Sequence, residues 1–341
     1  MDKAAKAAAT RHEGRPHKAT ADVSIVVVTW NSDSWIERCL KAIGPAGAGV
    51  TYDVTIYDNA SADATPATIE RLAEREHRFK VVRGENNDGF ARATNRAVQM
   101  TAGRYVLMLN PDCELEPGAL TWLVRFLDAN PDAAAAAPLL ADADGESQRE
   151  FQLRRFPSLL SLACEVLLID KLLPFNPVTA RYRYRDLDLT EPQQVEQPAA
   201  AALLIRRTVF DEVGLFDEQF EPAWFEDVDF CRRLDVAGQS AWVVPAAHAR
   251  HFGGASLEFM KFSVFTDVWY RNMWLYARKW FSRGQAEWLR WFIIGGMLMR
   301  LPLAVVGLGT AGTTRREAVR AYAGVLRKAL NRWDDSSRSS S

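Results

Sequence analysis

The sequence predicts an α/β fold, a mainly parallel sheet flanked by helices, on three observations. Short apolar runs such as VSIVVVT, from Val23, and YVLML, from Tyr105, stop abruptly at polar residues. Segments with apolar residues at helical spacing separate these runs, and the alternation repeats along the chain. Runs this short, ended by polar turns, read as strands buried on both faces, as in parallel sheets. Alternation of strand and helix then requires right-handed crossovers. In such sheets ligands sit beyond the carboxyl ends of the strands, so Asn110, Pro111 and Asp112 fall where chemistry is usually done.

The elements follow in order. VSIVVVTWN is a strand stopped at Asn31, and SDSWIERCLKAIG places Ile36, Leu40 and Ile43 on one helix face, ending at Gly44 and Pro45. VTIYDN repeats the pattern, with Ser61, Asp63 and Thr65 in the turn and Pro66 at a helix start. KVVRG leads into ENNDGFARATNRAVQ, where Gly89 suits a tight backbone approach and Ala91 and Ala93 allow close helix packing. YVLMLNPD is the fourth strand, followed by a helix near Leu120 to Leu127. Beyond it AAAAAP is less regular, and REFQLRRFPSLL mixes Arg149, Arg154 and Arg155 with phenylalanines. That mix suits either a phosphate or sugar contact or a solvated helix face. Lys171 to Gln197 reads as a long loop, a candidate acceptor-facing lid. Order returns with AAAALLIRR, the helix TVFDEVG, the acidic helix FEDVDFCRR, and a strand running into a loop that carries His248, His251, Gly253, Gly254 and Ser256.

At 341 residues the chain has room for one large domain, or one domain with an appendage. A formal net charge of -1 gives no footprint for nucleic acid. The four cysteines lack metal-type spacing, which points to free thiols in a reducing compartment. Residues 1–22 and 334–341 have the composition of disordered tails.

Candidate chemistry rests on a few side chains. Glu226 and Asp227 open a helix, where capping alone explains an acid; bulky Trp224 and Phe225 before them look like a pocket wall that would desolvate a general base. Asp229 is placed to pair with Arg233 one turn on. His251, flanked by glycine, can reach a metal, while His248 has a bland surface role. One carboxylate from Asp112 and one imidazole from His251, completed by phosphate oxygens, suit Mn²⁺ or Mg²⁺ better than structural zinc. Asp58 can accept hydrogen bonds from a pyrimidine or ribose, or close an Asx turn with Ala60.

VSIVVVTWN, YDNASADAT, ENNDGFARATN, YVLMLNPD, FEDVDFCRR and HFGGAS, in this order over residues 23–256, resemble the family 2 inverting glycosyltransferases of GT-A fold, and most nearly their rhamnosyltransferase-like branch. The resemblance implies that Thr29, Asn31 and Asp58 line the nucleotide base, with Gly89, Phe90 and Asn95 along the ribose and diphosphate. Asn59, Asn110, Trp224 and Arg155 join this candidate substrate-binding set. It makes Asp112 a metal ligand, joined by His251, and Asp227 the base, with Glu226 beside it. The implied reaction moves one sugar, with dTDP-L-rhamnose or a UDP-sugar as donor, to a lipid-linked or cell-envelope glycan acceptor. Two features depart from the family. Asn110 stands where the metal motif usually has a first aspartate, which weakens the expectation of a metal. The QxxRW signature of processive synthases is absent, Glu287 to Trp291 having Glu in place of Gln. A sugar nucleotidyltransferase is the competing enzyme reading, disfavoured by the lack of a glycine-rich, lysine-bearing phosphate loop. A non-catalytic nucleotide-sugar-binding membrane protein is the other.

Residues 257–333 form the C-terminal region, where aromatic residues interleave with arginines. Trp291 to Gly309 approaches the roughly 20 apolar residues of a spanning helix, but Arg300 and Pro302 interrupt it. An amphipathic helix on the inner face of the cytoplasmic membrane fits better, helped by Arg315, Arg316 and Arg320. The alternative is a helical pair packed on the catalytic domain or on the second subunit of a homodimer.

Overall fold

The computed structural model describes residues 21–253, 260–308 and 312–333. The tails expected at either end, and the loop positions Gly254 and Ser256, lie outside these residues, except that Asp22 is already tied to Thr51 at the sheet edge.

The chain runs β1 (Val23–Thr29), α1 (Asp33–Ala46), β2 (Tyr52–Asp58), α2 (Thr65–Ala73), β3 (Phe79–Arg83), α3 (Phe90–Gln99), β4 (Tyr105–Leu109), β5 (Cys113–Leu115) and α4 (Ala119–Ala129). Then come β6 (Ala133–Ala141), α5 (Arg149–Gln152), β7 (Leu153–Arg154), α6 (Leu159–Val166), α7 (Ile169–Leu172), α8 (Pro177–Tyr182), β8 (Gln193–Val195), β9 (Gln197–Pro198), β10 (Ala202–Arg206) and α9 (Arg207–Val213). α10 (Glu226–Val236), β11 (Ser240–His251), α11 (Phe262–Trp280), α12 (Arg283–Val305) and α13 (Arg315–Leu330) complete it.

The main sheet has the order β3-β2-β1-β4-β10-β6-β11-β5, with β8 also pairing β11. β1 is parallel to both β2 and β4, so strand order reverses between β1 and β4. That reversal is a switch point, where the loops on the two sides diverge and leave a crevice at the strand ends. β10 enters antiparallel between β4 and β6, an inversion that the expectation of a mainly parallel sheet did not include.

Every residue of β1 is buried, because α1, α2 and α4 cover one face of the sheet and α3, α9 and α10 cover the other. Ile36, Leu40 and Ile43 face inward as their spacing requires, although α1 continues through Pro45 to Ala46. The AAAAAP stretch is a central strand, β6: fully covered on both faces, it needs small side chains rather than alternation. The segment expected as one long loop, Lys171 to Gln197, contains α8 and adds β8 to the sheet, so it is a built part of the domain.

The C-terminal helices share a second core with the rest of the chain. Met273, Tyr276, Leu289 and Ile293 pack with Leu162 of α6 and with Phe225 and Val228 at the start of α10. α12 is long and apolar enough to cross a membrane by length and composition, yet its Ile293, Ile294 and Met297 are buried in protein. Its Trp288, Trp291, Leu298 and Val305 are exposed. The Glu287 to Trp291 string is structural here: Arg290 pairs with Glu287 at 2.9 Å and donates to the Ala329 carbonyl of α13 at 3.3 Å.

Candidate active site

β5 is antiparallel to the end of β11, and the register sets His251 opposite Cys113, next to Asp112. His251 Nε2 therefore lies 3.5 Å from Asp112 Oδ1, with both residues buried. The sequence placed His251 in a loop, but it is the last residue of its strand, which fixes its direction. Gln148 holds the other ring nitrogen at 3.1 Å and donates to the His251 carbonyl at 2.7 Å, and Phe151 stacks on the ring at 5.2 Å. Sequence reasoning missed Gln148, because nothing near position 148 announces a partner a hundred residues away. A carboxylate and an oriented imidazole fit a hard divalent ion whose remaining ligands are oxygens. No cluster of three metal-binding side chains occurs among the described residues.

The second carboxylate centre sits at the start of α10. Trp224 and Phe225 both adopt left-handed backbone, φ 71° and 74°, a costly conformation for such side chains that turns the chain sharply into the helix. Their rings pack on Phe265, Trp269 and Tyr276 of α11. Asp227 Oδ1 accepts from Val228 N at 2.8 Å and Oδ2 from Ala200 N at 3.4 Å. Burial pushes its carboxyl above the ordinary Asp value, opposed by those N–H groups and by the charge of Arg154. Burial, and then the Asp227 charge, push Glu226 much higher, and its Oε2 has no partner. Asp229 pairs with Arg233 at 2.9 Å as expected, and also holds Trp280 and Lys279 of α11. The two centres flank one turn: Ala200 N donates to Asp227, while Asn110 N donates to the Ala201 carbonyl at 2.8 Å.

α11 locks this arrangement. Asn272, fully buried, donates through its amide to the carbonyls of Phe220 and Ala223 at 2.8 Å and of Trp224 at 3.1 Å.

Several residues expected to touch substrate make contacts within the protein. Asn59 bridges Asn87 Oδ1 at 2.8 Å and Asp88 N at 3.1 Å, fixing the loop before α3. The Asn95 amide clamps both backbone groups of Phe216. Arg155 lies over Tyr184 and pairs with Glu196 at 3.3 Å. The Thr29 hydroxyl is enclosed beneath the strand end without a partner. Gly89, at φ 81°, does need a close approach, but the backbone it meets is Pro222: an added Cβ would stand 2.9 Å from the Pro222 Cα. Phe90 N donates to the Pro222 carbonyl at 2.7 Å. Asn31, also left-handed, accepts from Ala62 N at 2.8 Å, and Asp58 closes its turn on Ser61 N at 3.3 Å rather than on Ala60. All four cysteines are free, as expected, and the fold buries each of them.

A sheet with a switch point between β1 and β4, with the Asp112–His251 pair and the buried Asp227 near strand ends, has the arrangement of a GT-A fold. Residues 24–214 match the model of "Glycosyl transferase family 2", and the chain belongs to that family. It is 31% identical over 238 residues to N-acetylglucosaminyl-diphospho-decaprenol L-rhamnosyltransferase of Mycobacterium tuberculosis, an alignment covering 67% of this chain and 75% of the relative. Rhamnosyltransferase WbbL of Escherichia coli is 24% identical over 233 residues, covering 67% and 83%. Among solved structures, GalNAc-T7 with UDP, GalNAc and Mn²⁺ superposes with a TM-score of 0.56 at 16% identity, over 93% of this chain and 58% of that one.

Proposed function

We propose that the enzyme moves a single sugar, with inversion, from a nucleotide-activated donor to a hydroxyl of a lipid-linked glycan acceptor, and that the donor is dTDP-L-rhamnose. The observation that carries this reading is the pair of unlike acidic centres on either side of the Ala200–Ala201 turn. Asp227, with its carboxyl raised by burial, is suited to take a proton from the acceptor hydroxyl. The freed oxygen attacks the anomeric carbon, the bond to the diphosphate oxygen breaks, and the nucleoside diphosphate leaves. One base suffices for inversion, since no covalent sugar intermediate forms. Asp112 and His251 would hold Mn²⁺ or Mg²⁺, which when bound offsets charge on the leaving diphosphate. The L-rhamnosyltransferase names of two relatives support the donor, and the diphospho-decaprenol in one name supports the acceptor class. The exposed tryptophans and aliphatic residues of α12 support attachment at the inner face of the cytoplasmic membrane.

The test is nucleoside diphosphate release from dTDP-, UDP- and GDP-sugars with Mn²⁺, Mg²⁺ or EDTA, using bacterial lipid extract as acceptor. Lipid-stimulated release from dTDP-L-rhamnose is expected. Release from another donor alone would overturn the sugar assignment, and silence across the panel with donor bound would overturn the transfer reading.

A further inference from the structure

Where α6, α7, α11 and α12 meet there is a cavity of about 200 Å³ into which four cationic side chains converge: Arg154, Lys171, Arg183 and Arg300. Two acids, Glu165 and Asp170, oppose them. Asp170 is already neutralised by Arg183 at 3.2 Å, and burial pushes the Glu165 carboxyl toward its neutral form. Arg300 has no carboxylate partner among the described residues. It caps the end of α6 by donating to the carbonyls of Glu165 and Val166. That reach exists because α12 comes unusually close: a Cβ on Gly296 would sit 2.5 Å from the Val166 carbonyl oxygen. Glu150 also pairs with Arg183, at 3.2 Å, which leaves Arg154, Lys171 and Arg300 without an ion pair among the described residues and Glu165 as the one unpaired acid of the lining.

The helices that line it also carry exposed apolar side chains. Leu172 is 73% exposed and Phe175 89% exposed just beyond α7; Leu160 on α6 and Leu298 and Leu303 on α12 are exposed as well. A cationic hollow on helices that bear these exposed apolar side chains, an apolar collar, complements a molecule that is anionic at one point and hydrocarbon beyond it. Free phosphate would use the hollow and leave the collar in water. The hollow is also joined to the base: Arg154 pairs with Gln197 in the two-stranded β7–β9 ribbon, which leads directly into the turn whose Ala200 N contacts Asp227.

We infer that this cavity seats the diphosphate of an isoprenoid-linked acceptor, with the hydrocarbon chain lying over the collar and the sugar extending to Asp227. The inference rests on the lipid-linked acceptor proposed above and adds where its charged group is held.

The experiment is calorimetric binding of farnesyl diphosphate to the full chain without donor, compared with farnesol, inorganic pyrophosphate and phosphatidylglycerol vesicles. Saturable binding of farnesyl diphosphate is expected, tighter than that of farnesol or pyrophosphate. Lys171→Gln, at an exposed position, should weaken it about tenfold, the size of one charge-assisted hydrogen bond, with an unchanged Tm. Arg183→Gln should weaken it as well. Undiminished binding in both variants, no saturable binding, or vesicle binding that farnesyl diphosphate does not displace would overturn the assignment, the last in favour of a bilayer headgroup. Because binding is read without turnover, a failed sugar-transfer assay would leave this result standing. Conversely, transfer to a lipid acceptor with an unaltered acceptor KM in Lys171→Gln would defeat the cavity assignment alone.

Discussion

His251 Nε2 stands 3.5 Å from Asp112 Oδ1, and Phe252 N donates to the Asp112 carbonyl at 3.0 Å, so backbone and side chains are fastened at the same point. Asp112→Ala should weaken donor diphosphate affinity about tenfold or more and remove its dependence on Mn²⁺. Gln148→Ala, which frees the imidazole to rotate, should cost about 10–100-fold in metal affinity while sparing the fold. Calorimetric titration of donor with Mn²⁺ and with EDTA separates these outcomes; equal affinity throughout would remove the metal from the site.

Asp227→Asn should lower turnover by about 10²–10⁴-fold and leave donor affinity nearly intact. The pH profile carries the same assignment. Below its folded pKa the carboxyl is protonated and accepts no proton, so kcat/KM should fall as pH drops. Because burial raises that pKa above the ordinary 3.8, the acid limb should lie above the range of a solvated aspartate. A limb at the ordinary value would argue for a different base.

Glu226 makes a separate prediction about stability. Its folded pKa is raised well above 4.5, so between 4.5 and that value the folded chain binds more protons than the unfolded chain. Stability therefore falls as pH rises through this window. Glu226→Gln cannot ionise, and its Tm relative to the parent should improve progressively as pH rises from about 4.5. A constant Tm difference across the range would contradict the buried, unpartnered carboxyl.

Gly89→Ala should destabilise the protein by about 1–3 kcal/mol, since it combines left-handed strain with a contact to Pro222 backbone. Chemical denaturation reads the loss directly.

Asn272→Ala strands the carbonyls of Phe220, Ala223 and Trp224 in a buried turn. A loss of about 1–3 kcal/mol per unsatisfied group is the scale, and turnover should fall together with Tm because the turn aims Asp227. Normal turnover in a destabilised variant would separate the lock from the base.

The parts legible in the sequence were those dictated by local chemistry. A buried strand must be apolar and must end in a turn, so β1, β2 and β4 and the carboxylates at Asp58 and Asp112 could be read directly. β6 escaped because an all-alanine strand has neither bulk nor alternation, only a covered position that other elements create. Arg154 and Arg155 are adjacent in extended chain and so point to opposite sides; the sequence favoured Arg155, and the one whose charge reaches Asp227 is Arg154. Asn59 and Asn95 look like ligand contacts because a buried amide must be satisfied, and only the fold reveals that protein satisfies them.

The hold of α11 on the turn before Asp227 bears on how this enzyme can be re-engineered. A chimaera joined near residue 256 would pair one parent's α10 with another parent's α11, and the Asn272 amide would meet carbonyls in the wrong places. Donor preference would then be exchanged between relatives more readily at the loops that follow β1 and β2 than across this joint.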